Sequence, residues 1–304
     1  MLGYTPSAIS QQITSLERTI GSRVVVREHG RRALGLTEAG VIVLRHLNAI
    51  EARLEAARAE IAALAGGRVG PLRVEAPESI AARFLPEVMR RFHAACPDVE
   101  GVLDEAPLDP DLASLERGAC DLAFGILPLP EGPFQATVVL TDPWVVVAGA
   151  SSPLAQRGPL RTLRELRGLR VLASRSTLES PSCLNCLRAA GVNPSEALRS
   201  ESDGVIQAFA GAGLGVAVMP RLAVNTVDEH IRIVELGELI PPRRIAIVWH
   251  EDRTPHPSLD TFVTLAARVG SQLERLRDEA ESSSPSGRLL ARHATGLRSI
   301  AGAA

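Results

Sequence analysis

The feature that most constrains the fold is a long apolar run at alternating spacings of four and three residues. Its members are Val43, Leu47, Ile50, Leu54, Ala57, Ile61 and Leu64. This spacing places them along one seam of a single helix, which is the pattern of a coiled coil. We therefore predict a dimer interface formed by Leu47, Ile50, Leu54, Ile61 and Leu64. A helix that packs on the core of its own subunit is the alternative.

Glycine and proline end this helix and divide the chain. The segment GGRVGP at residues 66–71 is the clearest linker in the sequence, because glycine and proline interrupt regular structure. We assign residues 39–66 to a linker and dimerisation helix and residues 72–278 to a second domain. Residues 279–304 have no usable periodicity and are predicted to form a disordered tail.

The second domain alternates apolar strands with helices. Strands are predicted at residues 72–76, 99–103, 122–126, 143–148, 170–173, 215–219 and 244–249, and helices at 80–95, 110–117, 183–190, 204–212 and 258–277. Such alternation indicates α/β sheets of parallel character. The length fits two small lobes better than one, with residues 72–143 and 244–278 in lobe I and residues 144–243 in lobe II.

The first 38 residues form a small basic module. A helix is predicted from Pro6 to about Ile20, with Thr5 as its N-cap and Gly21 as its end. Two short strands at residues 24–26 and 34–36 follow, around a basic turn. Residues 1–36 hold five arginines against two glutamates, although the net charge of the chain is only −2.

Composition and motifs exclude several classes of protein. No run approaches the ~20 apolar residues that span a bilayer, and no signal peptide is visible, so we expect a cytoplasmic protein without membrane contact. Glycines at 211, 213 and 215 follow a helix and precede a strand, which is the wrong order for a dinucleotide site. His250, Glu251, Asp252 and His256 lack zinc-site spacing. We expect no metal, no cofactor and no enzymatic activity.

Two of the four cysteines, Cys183 and Cys186, lie at the front of a predicted helix. The helix dipole there can lower a thiol pKa, which leaves a redox or metal-sensing role open. Two ordinary buried thiols are the favoured alternative, since four cysteines are too few for a disulfide framework.

The residues of the first module carry a resemblance to a known family. TPSAISQQITSLE from Thr5, followed by GRRALGLTEAG, resembles the amino-terminal region of LysR-type transcriptional regulators. GAGLGVAVMP at residues 211–220 and SPLA at residues 152–155 extend the likeness to about residue 278. The resemblance implies a partial winged helix-turn-helix over residues 1–38, and a two-lobed effector domain similar to periplasmic binding proteins over residues 72–278. It also implies homodimers, and tetramers are typical of the family.

The chain departs from the family pattern at its start. Such regulators normally carry a first helix before this point, so contact with promoter DNA is expected if the helix-turn-helix is completed upstream. A misassigned start and a real loss both remain open. If the start is misassigned, the DNA upstream of the Met1 codon should encode an amphipathic helix in frame.

The resemblance also assigns the DNA-binding residues. The first helix would lie in the major groove and contact base edges, while arginines of the turn would contact phosphates or the minor groove. The residues concerned are Thr5, Pro6, Ser7, Ser10 and Gln11 on the helix and Arg27, Arg31 and Arg32 in the turn. A solvated helix beside a basic turn is the alternative.

The effector site is predicted from architecture. Ligands of two-lobed α/β domains bind beyond the carboxyl ends of strands, and hydroxyls at helix starts suit a carboxylate or another small anion. The candidates are Ser79, Ser174, Ser176 and Thr177, with Gly125 and Ser202 added by the family layout. Simple helix capping is the alternative for each of them.

The function predicted from the sequence is a LysR-type regulator controlled by a small, anionic effector bound between two lobes. The alternatives are a stand-alone solute-binding protein, and a truncated regulator that binds ligand and partner subunits but no DNA. The sequence identifies neither the effector nor the promoter, and it does not separate activation from repression.

Overall fold

The structure, a computed structural model, describes residues 5–26, 35–64, 70–105, 112–178, 180–194, 199–200 and 202–283. The chain divides into two compact units. The first comprises Met1–Val69 with Ala113–Cys120, and the second comprises Gly70–Leu112 with Asp121–Ala304. None of the described helices is long and apolar enough to cross a membrane.

The first unit begins with α1 (Pro6–Ile20), β1 (Val25–Val26), β2 (Gly35–Leu36) and α2 (Glu38–Leu64). Its helix boundaries follow local capping chemistry. Thr5 Oγ1 accepts a hydrogen bond from the Ala8 N–H at 3.3 Å, which satisfies a free donor of the first turn. Gly21 ends α1 in the left-handed conformation, with φ of 76°. Strands β1 and β2 pair antiparallel.

The second unit alternates strands and helices, with the short helix α5 grouped in the first unit. In chain order the elements are β3 (Leu72–Ala76), α3 (Glu78–Arg83), α4 (Leu85–Ala95), β4 (Gly101–Glu105), α5 (Ala113–Arg117), β5 (Leu122–Ile126), β6 (Phe134–Asp142), β7 (Trp144–Gly149), β8 (Val171–Ser174), α6 (Arg175–Leu178), α7 (Pro181–Ala189), β9 (Arg199–Ser200), α8 (Asp203–Gly211), β10 (Val216–Pro220), β11 (Ile231–Glu235), β12 (Arg243–His250) and α9 (Leu259–Ser283).

These strands form two five-stranded sheets, with orders β4-β3-β5-β12-β6 and β11-β7-β10-β8-β9. We call the parts built on them lobe I and lobe II, and the exact lobe boundaries stay a prediction. The sheets are mixed, which corrects the expected parallel character. Strand β3 pairs parallel with β4 and β5, and β8 pairs parallel with β9 and β10. Strand β12 is antiparallel to β5 and β6, and β7 is antiparallel to β10 and β11.

Two helix predictions need correction. The helix expected at residues 80–95 is broken at Phe84 into α3 and α4. Pro86 explains the break, because proline lacks an N–H and its ring clashes with the carbonyl four residues earlier. The predicted tail begins too early, since α9 continues to Ser283; residues 284–304 lie outside the described part of the chain.

Helix α9 covers the outer edge of lobe I. At Gly270 the helix comes so close to β6 that a Cβ atom would lie 1.7 Å from the Val139 carbonyl oxygen. Glu274 Oε1 accepts from the Thr141 N–H at 2.7 Å, and Arg277 Nη1 donates to the Thr141 carbonyl at 3.0 Å. These contacts satisfy backbone groups of an edge strand that would otherwise be open to another chain.

Candidate functional site

Helix α1 presents a row of small polar side chains to solvent. Thr5, Ser7, Ser10 and Gln11 are all exposed, and the hydroxyls of Thr5 and Ser7 lie 3.0 Å apart. The side chain of Pro6 is outside the described part. Because hydroxyl and amide groups both donate and accept hydrogen bonds, this face has the chemistry needed to contact base edges.

The opposite end of α1 is fixed to the strand that follows it. Glu17 Oε1 accepts from the Val24 N–H at 3.0 Å and from the Val25 N–H at 3.4 Å. Glu17 is the last residue of the segment TPSAISQQITSLE. Its carboxylate holds β1 against the helix, so the strand pair takes its position from α1.

The start of α2 is fixed to the same strand. Thr37 Oγ1 donates to the Arg23 carbonyl at 2.6 Å and accepts from the Gly40 N–H at 3.0 Å. A Cβ atom at Gly40 would lie 2.0 Å from the Val24 carbonyl oxygen, so only glycine fits there. The motif residues thus join α1, β1 and α2. Arg27, Arg31 and Arg32 lie outside the described residues.

An apolar stripe follows the exposed side of α2. The exposed fractions of Leu47, Ile50, Leu54 and Ile61 are 45%, 62%, 52% and 65%, and we call these four residues the α2 stripe. The side chain of Leu64 is outside the described part. A core residue is normally almost fully buried, so these exposures disfavour packing of the stripe within its own subunit.

Two candidate effector residues lie at the starts of helices α3 and α8. Ser79 lies in the first turn of α3 and Ser202 directly precedes α8. The Ser202 hydroxyl donates to Glu78 Oε1 at 3.4 Å, which links the start of α3 to the start of α8. Ser79 is 5% exposed, and its hydroxyl accepts from Arg243 Nη2 at 3.5 Å.

A buried ion pair stands beside Ser79, and sequence reasoning missed it. Arg243 Nε donates to Asp142 Oδ2 at 3.2 Å, and the Arg243 and Asp142 side chains are 4% and 1% exposed. Asp142 Oδ1 also accepts from the Leu222 N–H at 3.0 Å. The Arg243 guanidinium lies 5.9 Å from the ring centroid of Trp144. Asp142 ends β6, just before the chain passes to β7 of the other sheet, and Arg243 begins β12, just after the chain returns from that sheet. The ion pair therefore links the two segments that connect the sheets.

The remaining effector candidates lie inside the fold. Ser174 and Thr177 are fully buried, and Thr177 Oγ1 donates to the Val218 carbonyl at 2.8 Å, which ties α6 to β10. At Gly125 a Cβ atom would lie 2.9 Å from a Leu129 methyl group. The side chain of Ser176 is outside the described part. Ser202 is half-buried beside Glu78 and Ser79 is buried beside Arg243, and a role of all six candidates in effector binding stays a prediction.

Cys183 does not have the chemistry of a reactive thiol. Burial, and to a lesser degree the neighbouring Cys186, raises the pKa of the Cys183 thiol to about 12. The lowering that the helix start suggested is not found, because loss of solvation outweighs the helix dipole. Among the described residues, no group of three or more His, Cys, Asp or Glu side chains is arranged to hold a metal ion.

Comparison with known proteins is consistent with this geometry. Residues 65–271 match the model of the LysR substrate binding domain, and residues 1–41 match the model of the bacterial regulatory helix-turn-helix protein, lysR family. The HTH-type transcriptional regulator CbbR of Rhodospirillum rubrum is 31% identical over 236 residues, which cover 77% of this chain and 76% of CbbR.

Two solved structures share the fold. Full-length CbnR complexed with its target DNA has a TM-score of 0.61 and 22% identity, over 88% of this chain and 91% of CbnR. The effector binding domain of QuiR in complex with shikimate has a TM-score of 0.59 and 16% identity, over 67% of this chain and 98% of that domain. With the substrate-binding model alone matching more than half of its residues, the chain belongs to the LysR family of helix-turn-helix transcriptional regulators.

Proposed function

We propose that this LysR-family regulator reads promoter DNA with α1, dimerises through α2 and is controlled by a small molecule held between its two lobes. The observation that carries the proposal is the exposed polar row of α1, fixed in place by Glu17. The activity is regulatory rather than enzymatic, and because promoter DNA is the partner, the proposal implies a cytoplasmic protein.

The DNA contact rests on the chemistry of the α1 face. Ser10 and Gln11 have side chains that exchange hydrogen bonds with base edges in the major groove. CbnR, which shares the fold, has been captured with its target DNA. For this chain we assign base contacts to Ser10 and Gln11 and supporting contacts to Thr5, Pro6 and Ser7. Arg27, Arg31 and Arg32 would contact phosphates, which position the protein without specifying sequence.

The dimer contact rests on the α2 stripe. Burial of a leucine or isoleucine side chain contributes roughly 1.5–3 kcal/mol, so four exposed residues represent a large unused driving force. A second copy of α2 carries the same stripe, which a two-fold interface requires. Leu64 would complete this seam, and pairs of dimers would give the tetramer that is typical of the family.

The effector contact rests on Ser79 and Ser202. QuiR, whose effector domain shares the fold, was solved with shikimate, which supports a small molecule between the lobes of this chain. We keep a small anion as the proposed effector, with Gly125, Ser174, Ser176 and Thr177 as further candidate contacts. Since Glu78 accepts the Ser202 hydroxyl, an anionic group would have to take the place of the Glu78 carboxylate there.

Gln11→Ala tests the DNA contact. The substitution removes one amide from the exposed face of α1, so we expect it to weaken binding to the cognate promoter by about 1–3 kcal/mol and to relax base preference at one position. Fluorescence anisotropy with a panel of single-base-substituted duplexes measures both effects. Gln135→Ala, at an exposed glutamine of β6, is the matched control and should bind as wild type.

Two results would contradict the proposal. Equal affinities of Gln11→Ala and wild type across the panel would show that α1 does not contact bases through Gln11. A protein that binds ligand and forms dimers but binds no promoter duplex would favour a regulator that acts without DNA contact of its own.

A further inference from the structure

Lobe II carries a segment in which leucine and arginine each recur at every third position. It reads LRTLRELRGLR over residues 160–170, and Leu163–Leu166 form a 3₁₀ turn. Side chains three residues apart are eclipsed in a 3₁₀ turn, so Leu163 and Leu166 lie on the same face of this turn. Leu160, Leu163 and Leu166 are at most 6% exposed and belong to the core of lobe II.

The arginines that follow these leucines are all exposed. We call Arg161, Arg164, Arg167 and Arg170 the arginine ridge. Exposed Arg157 lies just before it, so residues 157–170 contain five arginines and one glutamate. The whole chain is nearly balanced, with 33 basic and 35 acidic residues. The ridge is therefore a strong local excess of positive charge.

The ridge has little internal compensation. Glu165 Oε1 is directed at the backbone, where it accepts from the N–H groups of Arg161 at 2.9 Å and Thr162 at 3.1 Å. Among the described residues, no carboxylate forms an ion pair with a guanidinium of the arginine ridge. Leu160, Leu163 and Leu166 pack in the core of lobe II, and the guanidinium groups of the ridge remain available to a partner.

One arginine of the ridge is held in position. Arg167 Nε donates to the Ala190 carbonyl at 2.6 Å. Gly191 leaves space for this arrangement, because a Cβ atom there would lie 2.9 Å from Arg167 Nη2. Arg188 is exposed on the same helix end and extends the positive surface. A pre-positioned guanidinium loses less side-chain entropy on binding than a free one.

We infer that the arginine ridge binds the phosphate backbone of promoter DNA, outside the segment read by α1. Guanidinium groups pair with phosphates through two parallel hydrogen bonds. The inference rests on the proposed function, because it requires DNA as the partner.

The surface is poorly suited to a protein partner. Protein interfaces centre on buried aromatic or apolar anchors, whereas the segment 157–170 contains no aromatic residue. Leu169 is its one partly exposed leucine, at 42%. An acidic protein surface is therefore the less favoured partner and becomes one outcome of the test.

The test removes two charges from the ridge and keeps the fold. Arg161→Gln with Arg164→Gln retains hydrogen-bonding side chains at exposed positions, and Arg167 is left intact because it contacts Ala190. The control is Arg268→Gln with Arg275→Gln, which removes two exposed arginines from α9. Each protein is titrated over a salt series with a long promoter duplex and with a short duplex that carries only the sites read by α1.

We expect the ridge variant to change binding to the long duplex alone. The slope of log affinity against log salt should become shallower by about 0.9 for each phosphate that is no longer neutralised by an arginine, hence by about 1.8 for the pair. On the short duplex the ridge variant should match wild type, and the α9 control should match wild type on both.

Other results overturn the inference. An unchanged slope on the long duplex would show that the arginine ridge does not bind DNA. Binding of an acidic protein that depends on the ridge would then identify the other class of partner. An equal change in the α9 control, or on the short duplex, would indicate a general charge effect. Wild-type protein that binds neither duplex would overturn this inference together with the proposed function. Loss of base preference in Gln11→Ala with no effect of the ridge variant would overturn the inference alone.

Discussion

The two long helices of the chain are similar in length and opposite in how they use their apolar residues. Helix α2 has 27 residues and α9 has 25. Along α9, Phe262, Ala266 and Val269 are at most 2% exposed. Along α2, the four residues of the α2 stripe are 45–65% exposed. Periodicity alone would assign both helices the same role.

The difference shows which apolar helix faces are buried within the single chain. Helix α9 finds a sheet edge and a neighbouring helix within its own unit, and Gly270 permits the close approach to β6. The α2 stripe is exposed in the single chain, and the proposed dimer would bury it against a second copy. Apolar side chains at helical spacing form an intramolecular core in α9, whereas we propose that they form an intermolecular contact in α2.

The largest effect is expected at the buried face of α9. Phe262 is fully buried, and its ring packs edge-on against Phe92 with centroids 5.4 Å apart. Phe262→Ala should lower the free energy of unfolding by about 3–5 kcal/mol, because it leaves a cavity in the core. Urea unfolding followed by circular dichroism measures the decrease. Leu276→Ala on the exposed side of α9 is the control. Similar decreases in both variants would show that the buried and exposed faces of α9 contribute equally to the free energy of unfolding.

A smaller effect, on association instead of folding, is expected at α2. Leu54→Asp removes roughly 1.5–3 kcal/mol of leucine burial from each copy of the seam and introduces a carboxylate there. Every 1.4 kcal/mol corresponds to a tenfold change in the dimer dissociation constant. Sedimentation velocity over a concentration series should therefore show a dimer weakened by at least about tenfold.

Leu276→Asp provides a matched control for this substitution. Leu276 is 54% exposed and Leu54 is 52% exposed, so the two leucines are similarly exposed but lie on different helices. The control should sediment as wild type. If Leu54→Asp also leaves the dimer unchanged, α2 does not form the seam, and the comparison between the two helices loses its meaning.

Sequence reasoning succeeded where the determinants are local. Helix α1 has the predicted bounds, Pro6–Ile20, because Thr5 and Gly21 cap it through neighbouring residues. Strands β6 and β11 were not predicted. Their identity depends on antiparallel partners, β12 and β7, that lie elsewhere in the chain. The half-exposed alternation of β6 is also a weaker signal than the continuous apolar run of β7.

The candidate site shows the same limit. The polar row of α1 could be predicted from one helical period, and the predicted linker helix of residues 39–66 begins within one residue of the observed start of α2 at Glu38. The Asp142–Arg243 pair joins residues 101 positions apart, so no local pattern reveals it. Removal of either partner would leave a buried charge without compensation, which makes the pair a structural requirement of the crossing between the lobes. The hydroxyl pattern predicted Ser79, Ser174 and Thr177 alike, and the burial of all three could not be predicted, because a sequence does not show which hydroxyls turn inward.

The smallest effect is expected at the polar margin of α9, where α4 meets it. Glu87 accepts from Arg90 Nε at 2.8 Å and from Arg91 Nε at 2.7 Å, and Arg91 Nη2 also donates to Gln272 of α9 at 2.7 Å. The hydrogen bonds from Arg90 and Arg91 lower the pKa of the Glu87 carboxyl to about 2. A lowered pKa in the folded state stabilises the fold above the ordinary pKa of 4.5, and this contribution disappears as the pH falls from there through about 2.

Glu87→Gln should therefore be slightly less stable than wild type near neutral pH, and the difference should vanish toward pH 2. The effect should be small because the Glu87 side chain is 39% exposed and solvent screens the pair. Urea midpoints of both proteins across this pH range give the measurement. A difference that stays constant with pH would show that the ion pairs of Glu87, which lie within α4, contribute nothing to stability.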